Sequence, residues 1–161
     1  MIRLSPELSK IVRIVPSQKM LIGLICNVEY KAISAEAGTA HGLSPRLASL
    51  DEVGQVRGPY DPFVEAFETA QGAHDDPLLI VISTQAATDG DLFSIWLDNV
   101  AHANDQRIIL HLYTAPTDCQ ILDKKAWRVA NPALATVRLL DDMRDFAQQA
   151  DRLPAKATSF H

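Results

Sequence analysis

The sequence has little cysteine and no long apolar run. Its two cysteines, Cys26 and Cys119, lie far apart, and two thiols cannot build a disulfide framework or a metal cage. No apolar run approaches the roughly 20 residues of a membrane-spanning helix, and the first residues lack the pattern of a secretory signal. These absences predict a soluble, cytoplasmic protein with no membrane partner.

Positive charge is also sparse. The 161 residues carry a formal net charge of -5, and Lys124–Lys125 is the only adjacent basic pair. DNA-binding domains usually present a basic surface, so this chain alone is a poor candidate for tight DNA binding. Its 47% hydrophobic and 22% charged residues are typical of a folded protein and argue against disorder. The length and the absence of a flexible linker predict a single domain over residues 1–161.

Several catalytic motifs are missing. A phosphate-binding loop reads Gly, four residues, then Gly-Lys and Ser or Thr. No such string occurs, and Gly38 and Gly42 are too close together and precede no lysine. The five histidines lack metal-ligand spacing, and no Gly-x-Ser-x-Gly elbow is present. Nucleophilic catalysis and a histidine metal site are therefore not indicated.

The apolar pattern predicts alternating strands and helices. The strongest strand signal is 78–82, apolar throughout, which is typical of a strand covered on both faces in a parallel sheet. A short strand at 47–50 and a helix that begins at Asp61-Pro62 precede it. A strand, a helix and a second strand in this order predict a parallel pair joined by a crossover.

The same patterns predict the rest of the chain. Residues 5–15 are expected to form a helix that Pro16 ends, and 20–25 and 29–34 a hairpin around Asn27. Further helices are predicted at 91–103, 123–130 and 139–153, and a strand at 108–113. The core-facing residues expected in the last helix are Leu139, Met143, Phe146 and Ala150.

Polar residues follow two of the predicted strands. Asp51 and Glu52 come after the strand at 47–50, and Ser83, Thr84 and Gln85 follow the strand at 78–82. Ligands of parallel sheets bind at the carboxyl ends of the strands. If the two strands are parallel, both clusters face one crevice.

The acidic pair has the order of a Walker B motif. Asp51 can hold magnesium through water, because hard cations take oxygen ligands. Glu52, turned the other way by strand geometry, can orient and deprotonate an attacking water. The alternative is a solvated acidic loop. For Ser83, Thr84 and Gln85, contact with a γ-phosphate or its water and simple capping of a turn both stay open.

Several segments resemble the large subunit of phage terminases. They occur in the order and spacing of that family over nearly the whole chain, and they include Leu50-Asp51-Glu52, Trp127 and Asn131-Pro132. The combination is far more specific than any single segment. The matching segments are 30–36, 41–45, 50–52, 77–86, 126–127 and 130–134.

The resemblance implies an α/β fold of the P-loop NTPase (ASCE) type, with three layers and a mostly parallel sheet that has helices on both faces. It implies ATP and magnesium as cofactors. By match, Asp51 binds the magnesium, Glu52 is the catalytic carboxylate, and Ser83, Thr84 and Gln85 form the coupling motif. Family partners are the terminase small subunit, the portal and double-stranded DNA, which the motor pumps into a procapsid in the bacterial cytoplasm.

The sequence departs from the family pattern at its N-terminal and C-terminal ends. In the family the phosphate-binding loop lies before the Walker B strand and a nuclease follows the ATPase. The chain is thus expected to be an ATPase domain truncated at the N-terminus, without the Walker A segment and the nuclease, and with His41 where a basic residue is often seen. We expect negligible ATP hydrolysis by the chain alone.

Two other functions are compatible with the sequence. One is a non-enzymatic, prophage-derived protein that self-associates or binds a partner through an exposed sheet edge. The other, an unrelated doubly wound binding module, does not account for the ordered set of family segments.

Overall fold

The computed structural model describes residues 2, 5–35, 42–136 and 140–153. The backbone divides into two compact units, Met1–Ala103 and Asn104–His161. Among the residues discussed above, Gly38, His41 and Leu139 lie outside the described part of the chain. The prediction of a single domain stays a prediction.

The first unit opens with a short helix and an antiparallel sheet. Helix α1 spans Pro6–Ile11, and its N-cap Ser5 accepts a hydrogen bond from the Leu8 N–H. Strands β1 (Val12–Val15), β2 (Met20–Gly23) and β3 (Val28–Lys31) lie in that order in one sheet. The predicted helix through residue 15 is therefore wrong. Its second half pairs with β2, because β-branched residues favour strands and this pairing overrides their helical spacing.

The predicted hairpin around Asn27 is confirmed, with shorter strands. Strands β2 and β3 pair antiparallel, from Met20 opposite Lys31 to Gly23 opposite Val28. Asn27 has a φ of 49°, in the left-handed region that asparagine tolerates in turns. β2 ends at Gly23 because the turn begins at residue 24, and β3 ends at Lys31 because its partner strand begins at Met20.

A second sheet in this unit consists of two parallel strands. Strand β4 (Leu47–Asp51) pairs with β5 (Leu78–Ile82), with the first residues of the two strands opposite each other and Asp51 opposite Ile82. Helix α2 (Pro62–Gln71) lies between them in sequence, and its N-cap Asp61 accepts hydrogen bonds from two backbone N–H groups. The predicted strand–helix–strand unit with parallel strands is confirmed.

One face of the parallel sheet packs into the core of the first unit. This face meets α2, the start of α3 (Leu92–Ala103) and a 3-10 helix, Val53–Gln55, that follows β4. Phe63 and Phe67 of α2 contribute an edge-to-face ring pair with centroids 5.0 Å apart. The buried residues of this core are Ala48, Leu50, Val53, Val64, Phe67 and Leu92, with Leu79, Val81 and Trp96 packed against them.

The opposite face of the same sheet is exposed and apolar. Leu47, Leu78, Ile80 and Ile82 are 54%, 55%, 39% and 61% exposed. The prediction that β5 is covered on both faces is therefore wrong for the described chain. The composition of β5 is that of a fully buried strand. Within the described residues, however, only one face of the strand has other elements packed on it.

The described residues of the second unit contain two helices around a small core. Helix α4 spans Lys124–Ala130 with Asp123 as its N-cap, and α5 spans Leu140–Arg152. The indole N–H of the buried Trp127 donates to the Ile121 carbonyl at 2.6 Å. The core residues of this unit are Trp127, Leu134, Met143 and Ala147.

Two predictions for the second unit are wrong. Residues 108–113 form no strand in the described structure, and Ile109 and Leu112 are 81% and 62% exposed. In α5, Met143 and Ala150 are buried as predicted, but Phe146 is 43% exposed and Ala147 takes the core position. Residues 143, 147 and 150 lie on one helical stripe, and residue 146 lies at the edge of that stripe.

These elements make a mixed α/β fold with a parallel sheet and helices. The described strands form two small sheets, one antiparallel with three strands and one parallel with two. No helix in the described part of the chain is long and apolar enough to cross a lipid bilayer.

Candidate functional site

The two polar clusters lie at the same edge of the parallel sheet. Asp51 is the last residue of β4 and stands opposite Ile82, the last residue of β5. Glu52 and Ser83 therefore follow directly at the carboxyl ends of two adjacent parallel strands. This is the edge at which such sheets bind ligands.

Glu52 has an unusual backbone conformation. Its φ and ψ are 57° and 36°, in the left-handed region, and it caps the 3-10 helix Val53–Gln55. Its N–H donates to the Ile82 carbonyl at 2.8 Å, and its carbonyl accepts from the Gln55 N–H at 2.9 Å. For a non-glycine residue this conformation is uncommon and is often found at functional sites.

Ser83 bonds to the turn after Glu52. Its hydroxyl accepts from the Gly54 N–H at 2.7 Å and donates to the Thr84 carbonyl at 2.7 Å. From the sequence, either a nucleotide contact or a local turn cap is expected for this hydroxyl. In the structure it joins the ends of the two strands.

Gly54 was not identified from the sequence, although the structure makes it central. It is buried, and a Cβ added to it would lie 2.3 Å from the Thr84 carbonyl oxygen and 2.9 Å from the Ser83 hydroxyl. Real Cβ atoms do not come so close to a backbone oxygen. The only signal in the sequence is a glycine shortly after an acidic pair, which is common in loops.

The carboxylates of the pair are accessible. Asp51 and Glu52 are exposed, as are Thr84 and Gln85, whereas Ser83 is half-buried. The edge thus combines two acidic side chains open to solvent with polar groups that belong to the neighbouring strand.

A buried carboxylate supports the loop beyond the site. Asp91 is 5% exposed and accepts from the Gly58 N–H at 2.8 Å and the Thr88 N–H at 3.0 Å. Arg57 lies 3.5 Å from the same carboxylate. Hydrogen bonds from Gly58 and Thr88, with Arg57 nearby, lower the pKa of Asp91 against the opposing effect of desolvation. In the sequence, Asp91 is recognisable only as the start of a predicted helix.

No protein-family model matches the chain. The large subunit of the terminase of Enterobacteria phage HK97 is 57% identical over 160 residues, which is 99% of this chain and 32% of the relative. The crystal structure of the HK97 bacteriophage large terminase matches with a TM-score of 0.93, covering 99% of this chain and 33% of that one.

The chain is homologous to the matched third of the HK97 terminase large subunit. The resemblance stated from the sequence is confirmed. This terminase homologue spans about a third of the length of the relative that it matches. The activity of the whole relative is therefore not assigned to it by this match.

The Asp51 carboxylate of this terminase homologue suits a magnesium site that is completed by waters and substrate phosphates. Among the residues that the structure describes, no group of three or more His, Cys, Asp or Glu side chains could hold a metal ion. Magnesium in nucleotide enzymes is held by one or two carboxylates together with waters and substrate phosphates. The exposed Asp51 fits that kind of site, in which the ion arrives with a nucleotide.

Proposed function

We propose that the chain carries the magnesium-binding and water-activating part of an ATPase site that drives the packaging of phage DNA. The observation that supports this most is the parallel pairing of β4 and β5. It brings Asp51 and Glu52 to the same sheet edge as Ser83, Thr84 and Gln85, in a homologue of a terminase large subunit.

Each residue has a distinct proposed role. Asp51 would bind magnesium through its exposed carboxylate, and the ion, when bound, would neutralise charge on the phosphates. Glu52 would orient and deprotonate the attacking water, since a carboxylate placed at hydrogen-bond distance from a water can act as a general base. Ser83, Thr84 and Gln85 would couple hydrolysis to movement of the adjoining segment.

The phosphate contacts have to come from elsewhere. The sequence has no phosphate-binding loop, and positioning and electrostatic stabilisation provide most of the catalysis in phosphoryl transfer. We therefore propose that terminase sequence outside the matched third holds the ATP phosphates. The complete site would belong to a three-layer, mostly parallel sheet of the P-loop NTPase type.

The proposed partners follow from the terminase assignment. They are the terminase small subunit, the portal and double-stranded DNA, and the proposed location is the cytoplasm of the bacterial host. Because the net charge is -5, these 161 residues are not expected to provide most of the contacts with the DNA phosphates.

A chimera tests the proposal. This chain replaces the segment of the HK97 large terminase that it matches, and magnesium-dependent ATP hydrolysis is measured. We expect hydrolysis in the chimera and a loss of at least about 100-fold in kcat on Glu52→Gln, because a general base typically contributes that much or more. We also expect the 161-residue chain alone to hydrolyse ATP negligibly.

The matched control is Glu29→Gln. Glu29 is an exposed glutamate of β3, in the antiparallel sheet, and the same change there should leave kcat within about twofold of the unmodified chimera, since surface substitutions have small effects. A chimera without hydrolysis, or equal activities of the two variants, would contradict the proposal.

A further inference from the structure

The turn that carries Glu52 is attached to β5 by two hydrogen bonds. The Glu52 N–H donates to the Ile82 carbonyl at 2.8 Å, and the Gly54 N–H donates to the Ser83 hydroxyl at 2.7 Å. Within the turn, the Val56 N–H bonds to the Val53 carbonyl at 3.0 Å. The left-handed conformation of Glu52 thus persists in a segment that is fixed on both sides.

The contact between this turn and β5 is also close sterically. The position of a Gly54 Cβ would lie 2.3 Å from the Thr84 carbonyl oxygen and 3.1 Å from that of Gln85. Only a glycine allows the backbone to approach another backbone so closely. The Gly54 backbone therefore lies directly against the backbone of the segment 83–85, beside the Ser83 hydroxyl.

The Ser83 hydroxyl is already engaged. A serine has one O–H donor, and that of Ser83 is used on the Thr84 carbonyl, while its oxygen accepts from Gly54. In this arrangement the hydroxyl has no proton left to donate to a phosphate oxygen.

We propose that Ser83 and Gly54 are positioning residues that hold Glu52. Ser83 fixes the turn through its hydroxyl, and Gly54 permits the close approach. A displacement of the segment 83–85 then moves the Glu52 carboxylate, because both hydrogen bonds connect the turn to the end of β5. This rests on the proposed function only in taking Glu52 as the base; the attachment itself does not depend on ATP.

The experiment uses the 161-residue chain and NMR. In Ser83→Ala the Gly54 amide should exchange with solvent faster by roughly tenfold, as expected for the loss of one hydrogen bond from a buried amide. The Cα shift and backbone coupling of Glu52 should move away from left-handed values. Ser83→Thr, which keeps the hydroxyl, should restore both signals. The amides of Phe63 and Val64, at the cap of α2, should not change.

The matched control is Ser49→Ala, an exposed serine of β4 in the same sheet. It should leave the Gly54 exchange rate and the Glu52 signals as they are. Gly54→Ala should shift the Glu52 signals as Ser83→Ala does, since its Cβ must push the turn off the Thr84 carbonyl.

Three results would overturn the proposal: unchanged Gly54 exchange in Ser83→Ala, an equal change in Ser49→Ala, or no restoration by Ser83→Thr. None of these measurements needs nucleotide. If the chimera described above hydrolyses no ATP while Ser83→Ala still releases the turn, the proposed function fails and the attachment stands. If hydrolysis is present and the turn is not released, the positioning role fails alone.

Discussion

Asp91 is a buried carboxylate that joins two loops by backbone hydrogen bonds. It accepts from Gly58, in the loop after the Glu52 turn, and from Thr88, before α3. Gly58 also accepts a hydrogen bond, because its carbonyl receives the Leu92 N–H at 2.8 Å. Together these bonds connect the polypeptide leaving the candidate site to the first turn of α3.

Substitution of Asp91 should make stability less sensitive to acid. The pKa of Asp91 is lowered in the folded state, chiefly by the Gly58 and Thr88 hydrogen bonds. Its contribution is therefore present above the unfolded pKa, about 3.9, and is lost as the pH falls through the lower folded pKa. Asp91→Ala should unfold at a lower temperature than the unmodified chain at pH 7, and the difference should shrink below about pH 4.

Calorimetry across this pH range is the measurement, with Asp89→Ala as the control. Asp89 is exposed and lies in the same loop. Equal losses of stability in the two variants at pH 7 would show that the hydrogen bonds of Asp91 do not stabilise the folded chain.

Which site residues the sequence reveals depends on how local their signal is. Asp51 and Glu52 are recognisable because an acidic pair directly follows an apolar strand. Gly54 is not, because its importance comes from the Ser83 hydroxyl, 29 residues away, and from the Thr84 carbonyl beside it. The left-handed conformation of Glu52 is equally hidden, since glutamate carries no preference for it.

At the scale of elements, local signals located β4, β5 and α2 well. Asp61-Pro62 marks the start of α2 because the cap and the proline act within one turn. The wrong assignments involve tertiary partners. Val12–Val15 has helical spacing but finds β2 as a partner, whereas residues 108–113 have strand composition but no strand partner in the described structure.

The cap of α2 offers a direct test at this scale. Asp61 accepts from the Phe63 and Val64 N–H groups at 2.9 and 3.0 Å. Asp61→Ala should lower the free energy of unfolding by about 1 kcal/mol, the usual effect of losing a cap, and Asp61→Asn by much less. Urea denaturation gives the values, and Asp75→Ala, in the exposed loop after α2, should be nearly neutral. Equal losses in the three variants would contradict a capping role.

At the scale of the molecule, the exposed apolar face of the parallel sheet is the main feature. Leu47, Leu78, Ile80 and Ile82 project from one side of β4 and β5 and are substantially exposed. Contiguous apolar patches promote association. We expect the isolated chain to self-associate reversibly as its concentration rises.

Two matched double variants test this. Leu78→Thr with Ile82→Thr should weaken association by roughly tenfold or more, since each side chain loses part of its apolar burial in the complex, while threonine keeps the strand preference. Leu24→Thr with Ile25→Thr removes the same residue types from the exposed hairpin turn and should not. Sedimentation velocity compares them, and equal weakening would exclude the sheet face as the contact.

The parallel pairing of β4 and β5 also affects the order in which the chain is expected to fold. The antiparallel sheet needs only short turns to form, but the parallel pair must first close a loop that contains all of α2. Loop closure of that length slows the formation of non-local contacts. We therefore expect the acidic pair and the serine segment to meet late in folding, after the antiparallel hairpin has formed.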